Sequence, residues 1–398
     1  MSNQNPIFIP GPTNIPEELR RAVDYPSIDH RSADFADMFA PALAGVKRVV
    51  RSSDAEIVLF PSTGTGAWEA AVTNTLSPGD RVLAARYGMF SHRWIDLCKR
   101  HGFDVETIET PWGEGAPAEA FEKALRADTS HRIKAVLVCH NETATGVKSD
   151  IAAVRRALDA AGHPAMLFVD GVSSIASMDF RMDEWGVDIA ITGSQKGFML
   201  PAGLAVLAMS PKAVEAMASA RSPRCFFDIR DMMKSNASGG FPYTPPVNLI
   251  RGLSMSIGML EAEGLDNVFA RHRRIADGIR KAVGAWGLSL CAKSPALQSD
   301  TVSAVVVPAG FDGGKIVTHA ARKYGVAFGV GLGEVAGKVF RIGHLGSMTD
   351  VMALSGIATA EMVMADLGYP VRLGSGVAAA QEHYSATAGV TTPLNAAA

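Results

Sequence analysis

Short, unbroken apolar runs recur along this chain, separated by longer stretches whose apolar residues fall three and four apart. The runs are "EIVLF" (56–60), "RVLAA" (81–85), "IKAVLVC" (133–139), "AMLFVD" (165–170), "DIAITG" (188–193) and "GLAVLAM" (203–209). A strand with one wet face alternates apolar and polar residues, whereas a strand covered on both faces reads as a continuous apolar run. The stretches between, such as "AWEAAVTNTL", "SHRWIDLCKRHG" and "DIAAVRRALDAAG", carry the helical spacing. This alternation predicts an α/β domain built on a mostly parallel sheet.

The texture changes after about residue 245. One long helical stretch, "PVNLIRGLSMSIGMLEAEGLDNVFARHRRIADGIRKAVGAWG", leads to "SAVVVP", "GGKIVTHAARKYG", "VFRIGHLG" and "DVMALSGIATAEMVMADLG". A smaller α+β domain hung from a long connecting helix is expected there. A chain of 398 residues exceeds the usual reach of a single core, which suits this division. The expected boundaries are an N-terminal arm over 1–20, a large domain over 21–264, a small domain over 265–372 and a tail over 373–398. The Ala, Gly, Ser and Thr of that tail suggest a segment trailing over the surface.

Several classes of function fall away on composition. The net charge is −2 and the basic residues are scattered, so there is no footprint for nucleic acid. The densest basic run, "RHRRIADGIRK" (271–281), reads as a solvated helix face. No run approaches the roughly 20 apolar residues of a membrane span, and prolines interrupt the N-terminus where a signal peptide needs an apolar helix. The four cysteines include no CxxC pair, and the ten histidines form no HxxxH-like pair, so no metal site is expected. A reducing, cytoplasmic setting follows as the expectation.

Ligands of open parallel sheets sit beyond the carboxyl ends of the strands. "EIVLF" is followed there by "PSTGTGAWEAA", glycines and hydroxyls opening a helix, which presents backbone N–H groups to a phosphate. "GTGAWE" has Glu69 where a dinucleotide fingerprint has its third glycine, and it lacks the GK[ST] ending of a P-loop. "AMLFV" ends in Asp170, a residue type common at strand ends and helix caps, and "DIAITG" leads into Ser194, Gln195 and Lys196. Each signal is weak alone. Together they make the set a pyridoxal phosphate site requires: a phosphate cradle, an acid for the pyridine nitrogen and a lysine to bond the cofactor. Burial beside a cationic ring would lower the lysine pKa, making it a nucleophile and later a base.

The segments "PGPTNIP", "DHRS", "PSTGTGAWE", "HNETATG", "FVDGVSSI", "GSQKGFMLPAGLA", "PYTPPV" and "FRIGHLG" occur in that order over nearly the whole chain. In them the sequence resembles the class V aminotransferases of fold type I, within the serine–glyoxylate and alanine–glyoxylate group. The resemblance implies that Lys196 holds the cofactor covalently and shuttles a proton, with Asp170 on the pyridine nitrogen and Val172 on the ring face. It places Thr143 at the ring hydroxyl, and Thr63, Gly64, Thr65 and Gln195 at the phosphate. Phe90 falls where the family stacks an aromatic, and Arg341 where it clamps the substrate α-carboxylate. Tyr243 and Thr244 would reach the phosphate of a neighbouring subunit, which implies a homodimer. His140 reads as structural.

For substrates the resemblance implies glyoxylate as acceptor and glycine as product, in glyoxylate assimilation. L-Aspartate is the favoured donor, giving oxaloacetate, with serine or alanine as alternatives. A second carboxylate needs a cation, and His30, Arg31 and Arg93 are candidates. Among pyridoxal phosphate lyases, a desulfurase needs a mobile reactive cysteine, and Cys225 and Cys291 lie in no glycine-rich loop resembling one. A nicotinamide dehydrogenase built on "GVGLGEVAG" (329–337) lacks the glycine spacing and the acid that should follow. A non-catalytic binding protein would have no use for Lys196, Asp170 and Arg341 together.

Overall fold

The computed structural model describes residues 5–389. Along the chain the strands are β1 (Ile7–Phe8), β2 (Glu56–Ser62), β3 (Arg81–Arg86), β4 (Asp104–Glu109), β5 (Ile133–Cys139), β6 (Asn141–Glu142) and β7 (Val147–Lys148). They continue with β8 (Met166–Asp170), β9 (Ile189–Gly193), β10 (Gly203–Met209), β11 (Ser289–Leu290), β12 (Val302–Val306), β13 (Ala327–Val330) and β14 (Val339–Gly343). Every apolar run marked in the sequence is a strand. The edge strand β4, "DVETIE", carries no such run, because an edge facing water is kept polar.

The large sheet has the order β2-β10-β9-β8-β5-β3-β4, and β10 alone runs against the others. Alternate residues feed two cores: Ile57, Leu59, Val136, Val138, Leu167 and Val169 pack on one face. Val58, Phe60, Ala135, Leu137, Met166 and Phe168 pack on the other. Helices cover both faces, so both sets of side chains are apolar. The small sheet has the order β1-β13-β14-β12-β11, antiparallel except for the β1–β13 pair. Its core includes Phe8, Ile275, Ile279, Phe340, Ile342 and Ile357.

Three expectations need correction. The long helical stretch is two helices, Val247–Glu263 and Leu265–Ala285, parted at Gly264, whose φ of +84° ends the first. The basic run is no solvated face. Arg271, His272 and Arg274 are buried, with Arg271 on Glu263 at 2.6 and 3.0 Å and Arg274 on Asp350 at 2.6 and 2.8 Å. Their acidic partners lie outside the run, which is why local charge counting reads it wrongly. Nor does the tail simply trail: Ser375–Ala386 is a helix, and its Tyr384 is buried and donates to the Ile275 carbonyl at 3.0 Å. Residues 390–398 lie outside the described part. No helix among the described residues is long and apolar enough to cross a membrane.

Candidate active site

Lys196 lies in the connection that turns the chain from β9 into the antiparallel β10. Ser194 pins that turn, its hydroxyl donating to the Pro201 carbonyl at 2.7 Å and accepting from the Leu204 N–H at 3.1 Å. The Lys196 side chain is almost fully buried, and its Nζ donates to the carbonyl of Pro10. Gly11 packs directly on it; an added Cβ would come within 2.5 Å of the lysine Cδ, and φ there is +101°. Only glycine fits a position that is both left-handed and this close. Burial, helped by the positive charge of Arg341, pulls the Lys196 amine down to about 8, with Asp170 opposing. A neutral fraction far above that of an ordinary lysine at physiological pH is what a nucleophile or base requires.

Asp170 ends β8 in the middle of the large sheet. Its carboxylate accepts from the Val172 N–H at 2.8 Å and from the Cys139 thiol at 3.5 Å. Burial pushes its pKa up to about 7, against the Val172 hydrogen bond, and the charge of Glu142 adds to the rise. An acid held this way is stabilised by a cation brought against it, such as a protonated pyridine nitrogen.

Thr63 is the N-cap of the helix Gly64–Thr75 but makes no side-chain cap bond. The first-turn N–H groups of a helix have no partners within it and favour an anion. Gln195 faces the same point: a Cβ built on Gly193 would lie 2.9 Å from Gln195 Oε1 and 3.5 Å from the Gly64 nitrogen. That Oε1 is buried without a hydrogen-bond partner, and the amide turned over would donate to a phosphate oxygen. Thr65 is exposed beside it. Val172 touches the glycine turn, its Cγ2 falling 2.5 Å from a Cβ built on Gly64.

Arg341, in β14, is buried and has no ion-pair partner among the described residues. Nε donates to the Val330 carbonyl at 2.8 Å and Nη1 to the Thr143 carbonyl at 2.9 Å. Nη2 makes no hydrogen bond among the described residues. Burial lowers its pKa to about 10, and Glu142 supports its charge. A buried guanidinium with no carboxylate in ion-pair contact can take one from a substrate. The Thr143 hydroxyl lies 2.7 Å from Ser173 Oγ.

Phe90 lies in the first turn of the helix Met89–Arg100, half buried, with Arg93 5.6 Å above its ring. His30 and Arg31 lie before the helix Ala33–Val49 and make no hydrogen bond or ion pair with the site among the described residues. His140 is buried against Phe180 and Trp185, with Nδ1 2.9 Å from Ser174 Oγ, and burial drops its pKa to about 3. Tyr243 stacks on Phe226 at 4.6 Å and donates to its carbonyl, while Thr244 is exposed. Neither makes a hydrogen bond to Lys196, Asp170 or Arg341 within the chain.

The structure thus gathers Lys196, Asp170, Gln195, Gly64, Val172, Thr143 and Arg341. The segments "PGPTNIP" and "HNETATG" also hold Pro10, Gly11 and Glu142, and β5 ends in Cys139, none of them a residue that the sequence alone marks out. A lysine capped by a backbone carbonyl leaves no side-chain signature to find.

A parallel-sheet enzyme with a buried lysine, a buried strand-end acid, an anion cradle and an unpaired guanidinium has the parts of a pyridoxal phosphate-dependent aminotransferase. Residues 17–342 match the family "Aminotransferase class-V". The chain is 72% identical over 387 residues to an L-aspartate–glyoxylate aminotransferase of Paracoccus denitrificans, covering 97% of this chain and 98% of that one. It is 54% identical to a serine–glyoxylate aminotransferase of Hyphomicrobium methylovorum, covering 96% and 95%. Among solved structures, the pyridoxamine–pyruvate aminotransferase of Mesorhizobium loti superposes with a TM-score of 0.90 at 29% identity, covering 98% and 99%. The chain belongs to the class V aminotransferases, fold type I enzymes whose cofactor is pyridoxal 5′-phosphate.

Proposed function

We propose that this enzyme transfers the amino group of L-aspartate to glyoxylate, giving oxaloacetate and glycine. The observation that carries the reading is the buried Arg341 with Nη2 free, in a chain 72% identical to an L-aspartate–glyoxylate aminotransferase. Every substrate and product of such a reaction has a carboxylate next to the reacting carbon, and one fork can hold each in turn. The serine–glyoxylate relative at 54% identity supports serine as a second donor.

In this reading Lys196 would hold the cofactor and, as a neutral amine, would take and return the proton at the substrate α-carbon. Asp170 would hold the pyridine nitrogen, Val172 and Phe90 would pack against the ring and Thr143 would bond its hydroxyl. Thr63, Gly64, Thr65 and Gln195 would hold the phosphate. When bound, the cofactor supplies an electron-withdrawing ring that stabilises negative charge at the α-carbon. Pro10 and Gly11 keep water from the lysine, and Arg341 aligns the carbon–hydrogen bond to be broken. A large domain over 21–264 contributes all of these but Pro10, Gly11 and Arg341; the first two come from the N-terminal arm over 1–20, and the small domain over 265–372 supplies the arginine. Tyr243 and Thr244 complete the neighbouring site in a homodimer. Four free cysteines support a cytoplasmic setting.

The test is a donor panel of aspartate, serine and alanine with glyoxylate, following glycine and each oxoacid. Aspartate is expected to give the highest kcat/KM. Serine ahead of aspartate by tenfold or more would replace this reading with the serine–glyoxylate one.

A further inference from the structure

Glu142 is fully buried and sits where the site's parts meet. Its carboxylate accepts from the backbone N–H groups of Phe90 at 3.1 Å, Ser91 at 2.9 Å and Ala144 at 3.1 Å. The first two open the helix Met89–Arg100, so the charge lies at a helix N-terminus, which stabilises it. The fit is close: a Cβ on Gly88 would fall 2.1 Å from Glu142 Cγ. Ala144 follows Thr143, whose carbonyl anchors Arg341. Burial raises the pKa of this carboxyl, and the three backbone N–H donors, joined by the Ser91 hydroxyl, work against that rise in favour of the carboxylate. Among the described residues no basic side chain is in ion-pair contact with it; its charge acts on two groups of the site, favouring the cationic form of Arg341 and the protonated form of Asp170.

We propose that Glu142 is a positioning residue of this active site: one buried carboxylate seats the Phe90 backbone and the Thr143–Ala144 turn, and its charge partly balances Arg341. The proposal rests on Arg341 being the carboxylate fork. When a substrate carboxylate reaches Arg341, Glu142 opposes it, so the site holds its ligands less tightly and releases product more readily. A helix cap with no further role would not touch ligand affinity.

The experiment uses the cofactor-loaded enzyme and glycolate, the unreactive alcohol corresponding to glyoxylate, in calorimetric titrations. Glu142→Gln removes the charge while keeping one acceptor for the turn, and is expected to lower the glycolate Kd by about threefold or more. It should also speed loss of pyridoxal phosphate on gel filtration, because the Phe90 end of the clamp loosens. Glu142→Asp keeps the charge on a shorter arm; its glycolate Kd should stay within about twofold of the parent while cofactor loss still speeds up. If Glu142→Gln does not fold, Glu142→Asp decides: unchanged cofactor release overturns the proposal. A glycolate Kd unchanged or raised in a fully loaded Glu142→Gln enzyme also overturns it. Arg341→Ala separates the two readings. If it abolishes glycolate binding, the fork stands; if glycolate binds as before, the fork and this proposal fall together.

Discussion

Asp170 is a carboxyl whose native environment, without a cation against it, favours the proton. Its ordinary pKa of 3.8 is pushed to about 7, chiefly by burial. Between those values the native state holds a proton that the unfolded chain has released, so native stability falls as pH rises from about 4 to about 7. A tenfold difference in proton affinity between the two states is worth about 1.4 kcal/mol, so cofactor-free enzyme should lose a few kcal/mol over that range. Asp170→Asn should flatten the fall, as read from denaturant unfolding at a series of pH values. An equal slope in the variant would place the titration elsewhere. Lys196 works in the opposite sense: its pKa lies below the ordinary 10.5, so stability recovers as pH rises above about 8. Asp170 and Lys196 were legible in sequence because each ends or follows a buried apolar run, where a charge needs a reason. Glu142 and Cys139 were not, because their significance lies in contacts with strands and helices distant along the chain.

At the scale of elements, what burial on two faces imposes is visible in the sequence, and what a single distant partner imposes is not. β5 and β10 match their apolar runs residue for residue. The helix Ser375–Ala386, by contrast, has the composition of a loose tail and is fixed from outside. Arg274 donates to the Tyr384 carbonyl at 2.8 Å and to Thr387 Oγ1 at 2.8 Å while gripping Asp350. Arg274→Ala should therefore leave Asp350 and the last helix unpaired together. Asp350 is partly exposed and keeps water when left alone, so the expected cost is about 1–3 kcal/mol of stability, with faster amide exchange over 375–386. Parental exchange rates in that helix would show that its apolar contacts suffice. The break at Gly264 was equally hidden, since apolar spacing continues on both sides of it.

For the whole molecule, the proposed homodimer makes a claim that subunit mixing can test. Lys196→Ala should abolish turnover, and the double variant Tyr243→Ala/Thr244→Ala should lose most of it through weakened cofactor retention. If Tyr243 and Thr244 serve the neighbouring site, co-refolding the two restores one intact site in each mixed dimer. Random pairing then recovers activity to about a quarter of the parent. Recovery no greater than the sum of the separate variants would assign both residues to their own chain's site.

The contact between Pro10 and Lys196 spans 186 positions of sequence, and the guanidinium opposite them comes from residue 341. On the ribosome the segment around Pro10 must wait until the stretch around Lys196 and Arg341 has been made, because nothing it caps yet exists. Domains generally fold in the order they are synthesised, yet the proposed site draws on segments far apart in the chain and can close only once Arg341 has left the ribosome. Capture of pyridoxal phosphate would then report on synthesis past Arg341, and products truncated before it would be left with an open, poorly retaining site.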